Sequence, residues 1–544
     1  MKQFSNTIFN LGYFLILTMT AIALLFLSGQ ILLSHTYIPL RIAEGVQFVS
    51  NPWYFYPILL LFILSLFLIR PLLEKVQTKH LFWILSLIFI AAATFLITAY
   101  DGRIRADAKH VFNAALAFNR GDYSSLTTVG SYMYRNPHQL GLMTLERLYA
   151  FISPTTQFAF SMNVVWTLLS HFLIYKITAL LSAREMIQKY TILLTFLFLP
   201  QLFFVLFVYG TIPGLFFCLL SLYAFIKLNQ KGNLLYALLG AASISLACLL
   251  RNNYIIFAIM LIGVYFLSIF YKWSWKKPLA IILILAGIVL SNKGLTAYYE
   301  QLIGGKIGVG TPKIAYITMG LRDDPNRQSL GGWYDAYNTK ILKRNKYDEK
   351  LATEMATRDL KDILIHFSKH PAYALKFFYE KVKSTWTEPT FQSIWTGPQI
   401  ECQQYMKPAV LRSIYEERKG YQIVNFLLLT LLASIYLLSC FFILHKFFVA
   451  EEKLTPFDLY PFIFLLGGGL FHFFWETKSQ YVYIYVLLLI PSAAQSLVDL
   501  SDWWKNKGKG KSTDQLEQRL IKLEHLIRIC YNFIGILSKS KLNL

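Results

Sequence analysis

The chain has 544 residues, 56% of them hydrophobic and 16% aromatic, with only 15% charged and a formal net charge of +22. A soluble domain of that composition could not cover its surface with polar groups, so a freely dissolved protein is excluded and a polytopic membrane protein is expected. The positive charge forms no basic stripe with interleaved aromatics in a soluble region, so nucleic acid is not an expected partner.

Apolar runs fall at about 8–33, 54–73, 81–99, 156–180, 188–208, 210–227, 233–250, 253–271, 278–293, 422–446, 456–474 and 479–498. Runs of about 18 residues cross about 30 Å of hydrocarbon as helices, and these lack the every-second-residue alternation of membrane strands. The expected fold is all-α and integral to the membrane, with about twelve transmembrane helices (11–13, since 139–153 could be re-entrant). The first run lacks a small-residue cleavage site and is read as retained. With Lys2 in the cytoplasm, the basic short loops at 70–79, 176–189, 227–231, 272–277 and 446–453 all face inward, as does the tail. Both termini are then cytoplasmic. The division is N-terminal helices (1–99), an extracytoplasmic catalytic loop (100–155), a transmembrane core (156–293), an extracytoplasmic membrane-associated domain (294–421), C-terminal helices (422–498) and a basic amphipathic tail (499–544).

Along the chain, the first long loop opens with Asp101-Gly102-Arg103-Ile104-Arg105-Ala106-Asp107. It enters a helix whose Val111, Ala114, Ala115 and Phe118 share one face. Arg120-Gly121 ends that helix, and Pro137 starts a second, amphipathic one that reaches Phe151 and suits the membrane interface. The second long segment holds Gly331-Gly332-Trp333-Tyr334-Asp335 and then a helical stretch over 351–386 rich in aromatics and lysines, an interfacial anchor. After Lys511, Leu516, Leu520, Leu523, Ile527, Cys530, Ile534 and Leu537 form a short seam, either a coiled coil for a cytoplasmic partner or a helix on the inner leaflet. The five cysteines, Cys218, Cys248, Cys402, Cys440 and Cys530, show no disulfide framework and no metal-ligand spacing. A divalent metal is neither indicated nor excluded, and no P-loop or dinucleotide motif is visible.

Three polar clusters fall on the outer side under this orientation: residues 101–141, Arg251-Asn252-Asn253, and Trp475-Glu476-Thr477-Lys478-Ser479-Gln480. Asp107 at a helix start is by itself most simply a favourable N-terminal charge. Beside Arg105, Lys109, His110, Arg135 and His138 it also reads as a general base next to a phosphate-holding surface. Arg251 in a tight outer turn is either a snorkelling anchor or a phosphate ligand. Lys478 is a phosphate clamp that Glu476 could orient, or part of a capped turn with an interfacial Trp475.

These segments resemble a known family. Asp107-Ala-Lys-His-Val-Phe-Asn-Ala-Ala, Gly121-Asp122-Tyr123-Ser124 and Asn136-Pro137-His138-Gln139-Leu140-Gly141 resemble the first outer loop of bacterial glycosyltransferases of the GT-C fold. The branch is the one related to protein O-mannosyltransferases and aminoarabinose transferases, of Gram-positive cell-envelope type. Gly332-Trp333-Tyr334, Trp386-Thr387-Glu388-Pro389 and the stretch from His472 to Tyr481 are similar to that branch as well. The family places an Arg where Gln480 stands here, so Lys478 would take over its phosphate contact. The resemblance implies a polyprenyl-phosphate sugar donor, no nucleotide, and an envelope glycan, teichoic-acid-type polymer or lipid acceptor, in an inverting hexosyl transfer outside the membrane. It implies Asp107 as the base, with Asp101 as second candidate. Arg105, His110, Arg135, His138, Gln139, Arg251, Glu476 and Lys478 would bind substrate. The rivals are a polysaccharide polymerase or ligase, a transporter or flippase of lipid-linked glycans, and a scaffold acting through its tail. The nearly charge-free spans argue against a transporter.

Overall fold

In the computed structural model, residues 2–507 are described except 43, 309, 325–328, 399–404 and 450–452. The seam in the tail, together with Cys402 and Cys530, therefore lies outside the described residues.

The chain begins with α1 (Lys2–Leu33), a hairpin of β1 (Ser34–Tyr37) and β2 (Gln47–Ser50), then α2 (Phe55–Leu68), α3 (Arg70–Lys75) and α4 (Thr78–Ala99). The first long loop holds α5 (Ala106–Phe118), α6 (Ser124–Thr127), α7 (Tyr132–Arg135) and α8 (Leu140–Ile152). The body continues with α9 (Thr156–Leu181), α10 (Glu185–Leu197), α11 (Pro200–Phe203), α12 (Thr211–Lys231), α13 (Leu235–Leu250), α14 (Ile255–Tyr271) and α15 (Lys276–Ile303). The second long segment forms α16 (Lys313–Leu321), α17 (Tyr337–Arg344), α18 (Glu349–Lys369), α19 (Pro371–Trp386) and α20 (Ala409–Tyr415). The chain returns through α21 (Lys419–Phe448), α22 (Tyr460–Phe474), α23 (Tyr483–Leu487) and α24 (Ile490–Lys507).

The protein is an all-helical, multi-pass membrane protein. Among the described residues, nine helices are long and apolar enough to cross a membrane, ten if α10 and the bent segment after it form one span. Two shorter apolar helices, α13 with 16 residues and α22 with 15, complete the set of apolar runs seen in the sequence. The outward-facing apolar side chains, such as Leu285, Val289 and Leu290 on α15, are what a lipid-facing surface requires.

The structure departs from the sequence expectation at three places, two of them with simple causes. Helix α15 runs to Ile303, past the expected limit at 293, because Ser291 to Gln301 contain no Pro and only one Gly and remain compatible with helix. The stretch over 351–386 is two helices, broken where Pro371 removes a backbone donor. The small antiparallel hairpin pairs Ser34 with Ser50 through Tyr37 with Gln47 and was not anticipated. It is fastened by Thr36, whose N–H donates to Thr387 O at 3.1 Å.

The two ends of the bundle differ in chemistry. At one end an ion-pair network ties α3, α10 and α24: Arg70 to Asp502 at 2.7 Å, Arg184 to Asp502 at 2.6 Å and Lys505 to Glu74 at 2.9 Å. At the other end the two long segments meet the Arg251 turn and the 475–481 turn around a cavity.

Candidate functional site

The cavity has a volume of about 440 Å³ and is walled by side chains from seven separate stretches of chain. Asp107 stands in the first turn of α5, where the helix dipole favours a carboxylate. The residue before it, Ala106, is held at φ +55, a left-handed conformation that disfavours a Cβ-bearing residue by about 1–2 kcal/mol. That turn aims Asp107 and His110 into the cavity. Asp107 is exposed and makes no hydrogen bond or ion pair with the described residues.

Opposite it are four cations. Arg251 caps α13, donates to Thr211 Oγ1 at 2.6 Å, and lies 4.9 Å over the Tyr209 ring and 5.3 Å over that of Tyr481. Gly210 permits this arrangement: a Cβ there would fall 1.9 Å from Leu250 O. Arg135 donates to Gly130 O at 3.0 Å and Thr339 Oγ1 at 3.1 Å. Lys313, the first residue of α16, is exposed and has no ion-pair partner among the described residues. Lys478 is paired with Glu44 and lies 4.4 Å over the Tyr334 ring.

Burial alone would lower the pKa of Lys478, but Glu44, Glu476 and Asp107 outweigh it and the net shift is upward, so the ammonium is retained. His138 moves the other way: burial, with help from Arg251 and Lys313, lowers its pKa to about 4 and leaves it neutral. Gln139 donates from Nε2 to the Tyr209 hydroxyl at the cavity wall.

Glu476 differs from Asp107. Its Oε1 accepts from Tyr481 at 2.7 Å, while Oε2 is buried without a partner among the described residues. Burial raises its pKa to about 7, against the lowering pull of Lys478 and the Tyr481 hydrogen bond. It is a carboxyl poised between its two protonation states, whereas the Asp107 carboxylate opens to the cavity.

The 475–480 turn is held from below. Trp475 stacks on Tyr316 with centroids 5.6 Å apart, and Glu476 N donates to Tyr316 O at 3.2 Å. Thr477 N donates to Gly332 O at 3.0 Å. Gly320 lets the chain pass, since a Cβ there would sit 2.3 Å from the Trp475 carbonyl carbon. Lys381 donates to Gly320 O, to Phe473 O at 3.0 Å and to Trp475 O at 2.8 Å, satisfying carbonyls at the end of α22. Ser479 donates to the buried Glu388 at 2.8 Å.

Of the residues expected from sequence, the cavity brings together Asp107, His110, Arg135, His138, Gln139, Arg251, Glu476 and Lys478. Asp101 and Arg105 are not among them. Asp101 pairs with Arg103 at 3.1 Å, and Arg105 donates to Trp395 O at 2.6 Å and lies 4.2 Å over the Trp395 ring. Arg105 and Lys109 face a neighbouring cavity of about 680 Å³ on the far side of α5. Sequence reasoning did not assign to the site Tyr209, Lys313, Tyr316, Tyr334 and Tyr481 of the cavity wall, nor Glu44 behind Lys478. Tyr334 and Tyr481 lie in segments that resemble the family; the others carried no usable signal. Among the described residues no group of three or more His, Cys, Asp or Glu side chains could hold a metal ion.

A carboxylate open to a cavity, faced by four cations and walled by aromatic rings, can accept a hydrogen bond from a ligand hydroxyl while the cations hold an anionic group. The class is therefore an all-helical membrane protein with a polar, ligand-sized cavity at one end of its bundle. No protein-family model matches the chain, and no curated protein matches it.

Proposed function

We propose that the protein is a glycosyltransferase of GT-C architecture with about twelve spans, using a polyprenyl-phosphate sugar on the outer face of the cytoplasmic membrane. The observation that carries this reading is the carboxylate of Asp107, unpartnered among the described residues, facing Arg135, Arg251, Lys313 and Lys478 in one cavity. Asp107 takes the proton of the acceptor hydroxyl as its oxygen bonds to the anomeric carbon. The bond from that carbon to the phosphate oxygen breaks with inversion, and the phosphate leaves with one more negative charge. The cations stabilise that charge as it develops in the transition state. Arg251 and Lys313, which lack carboxylate partners among the described residues, are better placed for this than Lys478. A leaving phosphate needs little protonation, so no second acid is demanded. The aromatic walls, Tyr209, Tyr316, Tyr334 and Tyr481, suit the faces of a sugar ring.

Transfer from labelled polyprenyl-phosphate sugars to an envelope extract tests this, with wild type compared against Asp107→Asn and Asp101→Asn. The expected result is transfer that falls by a factor of about 10² or more in Asp107→Asn and persists in Asp101→Asn. Undiminished transfer in Asp107→Asn would remove the base from its place, and no transfer by wild type from any such donor would remove the class.

A further inference from the structure

Three features of the Glu44–Lys478 pair go beyond what a structural tie needs. Both side chains are almost out of solvent, 7% exposed for Glu44 and 13% for Lys478. Two buried charges recover their desolvation only when the pairing is tight, so tying up Lys478, a wall residue of the ligand cavity, with a buried carboxylate behind it is an expensive way to join two loops. Glu44 also sits at φ +66, a left-handed conformation a non-glycine residue enters at a cost. The backbone around it is fixed from elsewhere: Leu40 N donates to Glu417 at 2.8 Å, and Ile38 and Val46 pack on Trp333. The carboxylate is therefore presented to Lys478 by a strained residue on an anchored base.

The charge inventory gives the pairing a meaning. Of the four cations lining the cavity, Lys478 alone is ion-paired among the described residues. The groups facing it are Glu44, Glu476 and Asp107, with the Tyr334 ring beneath. An entering phosphate meets Arg135, Arg251 and Lys313 without an ionic competitor, but must exchange with a carboxylate at Lys478.

We propose that Glu44 is an internal stand-in for a ligand phosphate, occupying Lys478 until the phosphate of a membrane-borne isoprenyl lipid replaces it. Glu44 thereby sets the affinity of the cavity for that ligand. The identity of the lipid rests on the transferase reading; the exchange itself rests only on the ion pair.

Binding of farnesyl phosphate to the purified full-length protein tests this without any transfer step, with farnesol as the uncharged control and dodecyl phosphate as a phosphate on a different chain. Glu44→Gln is expected to bind farnesyl phosphate about tenfold tighter than wild type, with farnesol unchanged. The gain should vanish in Glu44→Gln/Lys478→Gln. Glu44→Asp, which keeps the charge but shortens the reach, should give an intermediate gain and decides the matter if the Gln variant does not fold. An equal gain with dodecyl phosphate supports the exchange and assigns it to any membrane-anchored phosphate; a gain confined to farnesyl phosphate supports it and assigns an isoprenyl carrier. Unchanged or weaker binding in Glu44→Gln, a gain that survives loss of Lys478, or no binding by any of the proteins overturns it. Intact sugar transfer with an unaltered Glu44→Gln affinity would sink this proposal alone, and the expected gain without any sugar transfer would sink only the transferase reading.

Discussion

At the scale of single residues, the two acids of the cavity should respond differently to pH. Glu476 is raised by burial from 4.5 to about 7. An acid whose folded pKa is raised contributes stability that is fully present below its unfolded value and lost as pH rises through the folded one. Glu476→Gln should therefore change the melting temperature little at pH 4 and raise it at pH 8, because only the ionised form suffers from burial. Under the proposed reading the new negative charge also repels the donor phosphate, so donor affinity in wild type should fall as pH rises through about 7 and stay flat in the Gln variant. A melting temperature that responds equally at both pH values would show that the fold does not raise the Glu476 pKa. The residue scale is also where the sequence was least legible. Asp107, Arg251 and Lys478 stood out because polar residues were clustered in an apolar chain. Glu44, in the hairpin loop, and Lys313, at the start of α16, are lone charges in the sequence, meaningful only once distant segments meet. Asp101 and Arg105 are close to Asp107 along the chain, yet neither lines its cavity: Asp101 pairs with Arg103, and Arg105 faces the neighbouring cavity on the other side of α5.

At the scale of elements, the site depends on how the 475–480 turn is carried. Lys381 on α19 satisfies three carbonyls that would otherwise face a buried, largely apolar setting. Lys381→Met keeps the length of the side chain but leaves those carbonyls unpaired, which should cost about 3 kcal/mol or more. The variant should melt well below wild type and bind phosphate lipids more weakly, since Glu476 and Lys478 lose their support. An unchanged melting temperature would mean that water replaces the ammonium. Gly332→Ala tests the same scaffold by sterics: a Cβ would lie 2.6 Å from Lys381 Cδ and 2.7 Å from Gly320 O, on a residue at φ +81. It should destabilise as well, without touching a charge. The helices themselves were legible from the period of their apolar residues, and α5 and α8 from their breakers, Gly121 and Pro137. The hairpin was not, because four-residue strands are too short for an alternating pattern to separate from loop.

At the scale of the whole molecule, each apolar run in the sequence coincides with an apolar helix or bent helical pair, and the basic loops gather at the end opposite the cavity. The orientation proposed above from the positive-inside bias would place the cavity outside. Val129, 59% exposed in the loop after α6, offers a check. In a background with Cys402 and Cys530 changed to Ser, Val129→Cys should react with membrane-impermeant thiol reagents added to intact cells. Cys218, Cys248 and Cys440 are buried and should stay silent. Labelling only after the membrane is opened would invert the orientation and place the cavity in the cytoplasm. The shortness of α13 and α22 bears on the bilayer itself. With 16 and 15 residues, they rise only about 24 and 22 Å, several ångströms less than the hydrocarbon thickness. If the opposite ends of these helices lie at the usual headgroup level, the Arg251 and Trp475 turns would sit below it on their own side. The surrounding leaflet would then either dimple toward them or leave a notch filled with water. A phosphate carried on a long lipid could enter that notch sideways without being drawn out of its leaflet. Vesicles of shorter-chain lipids, whose surface already lies at that depth, should support binding better than thick ones.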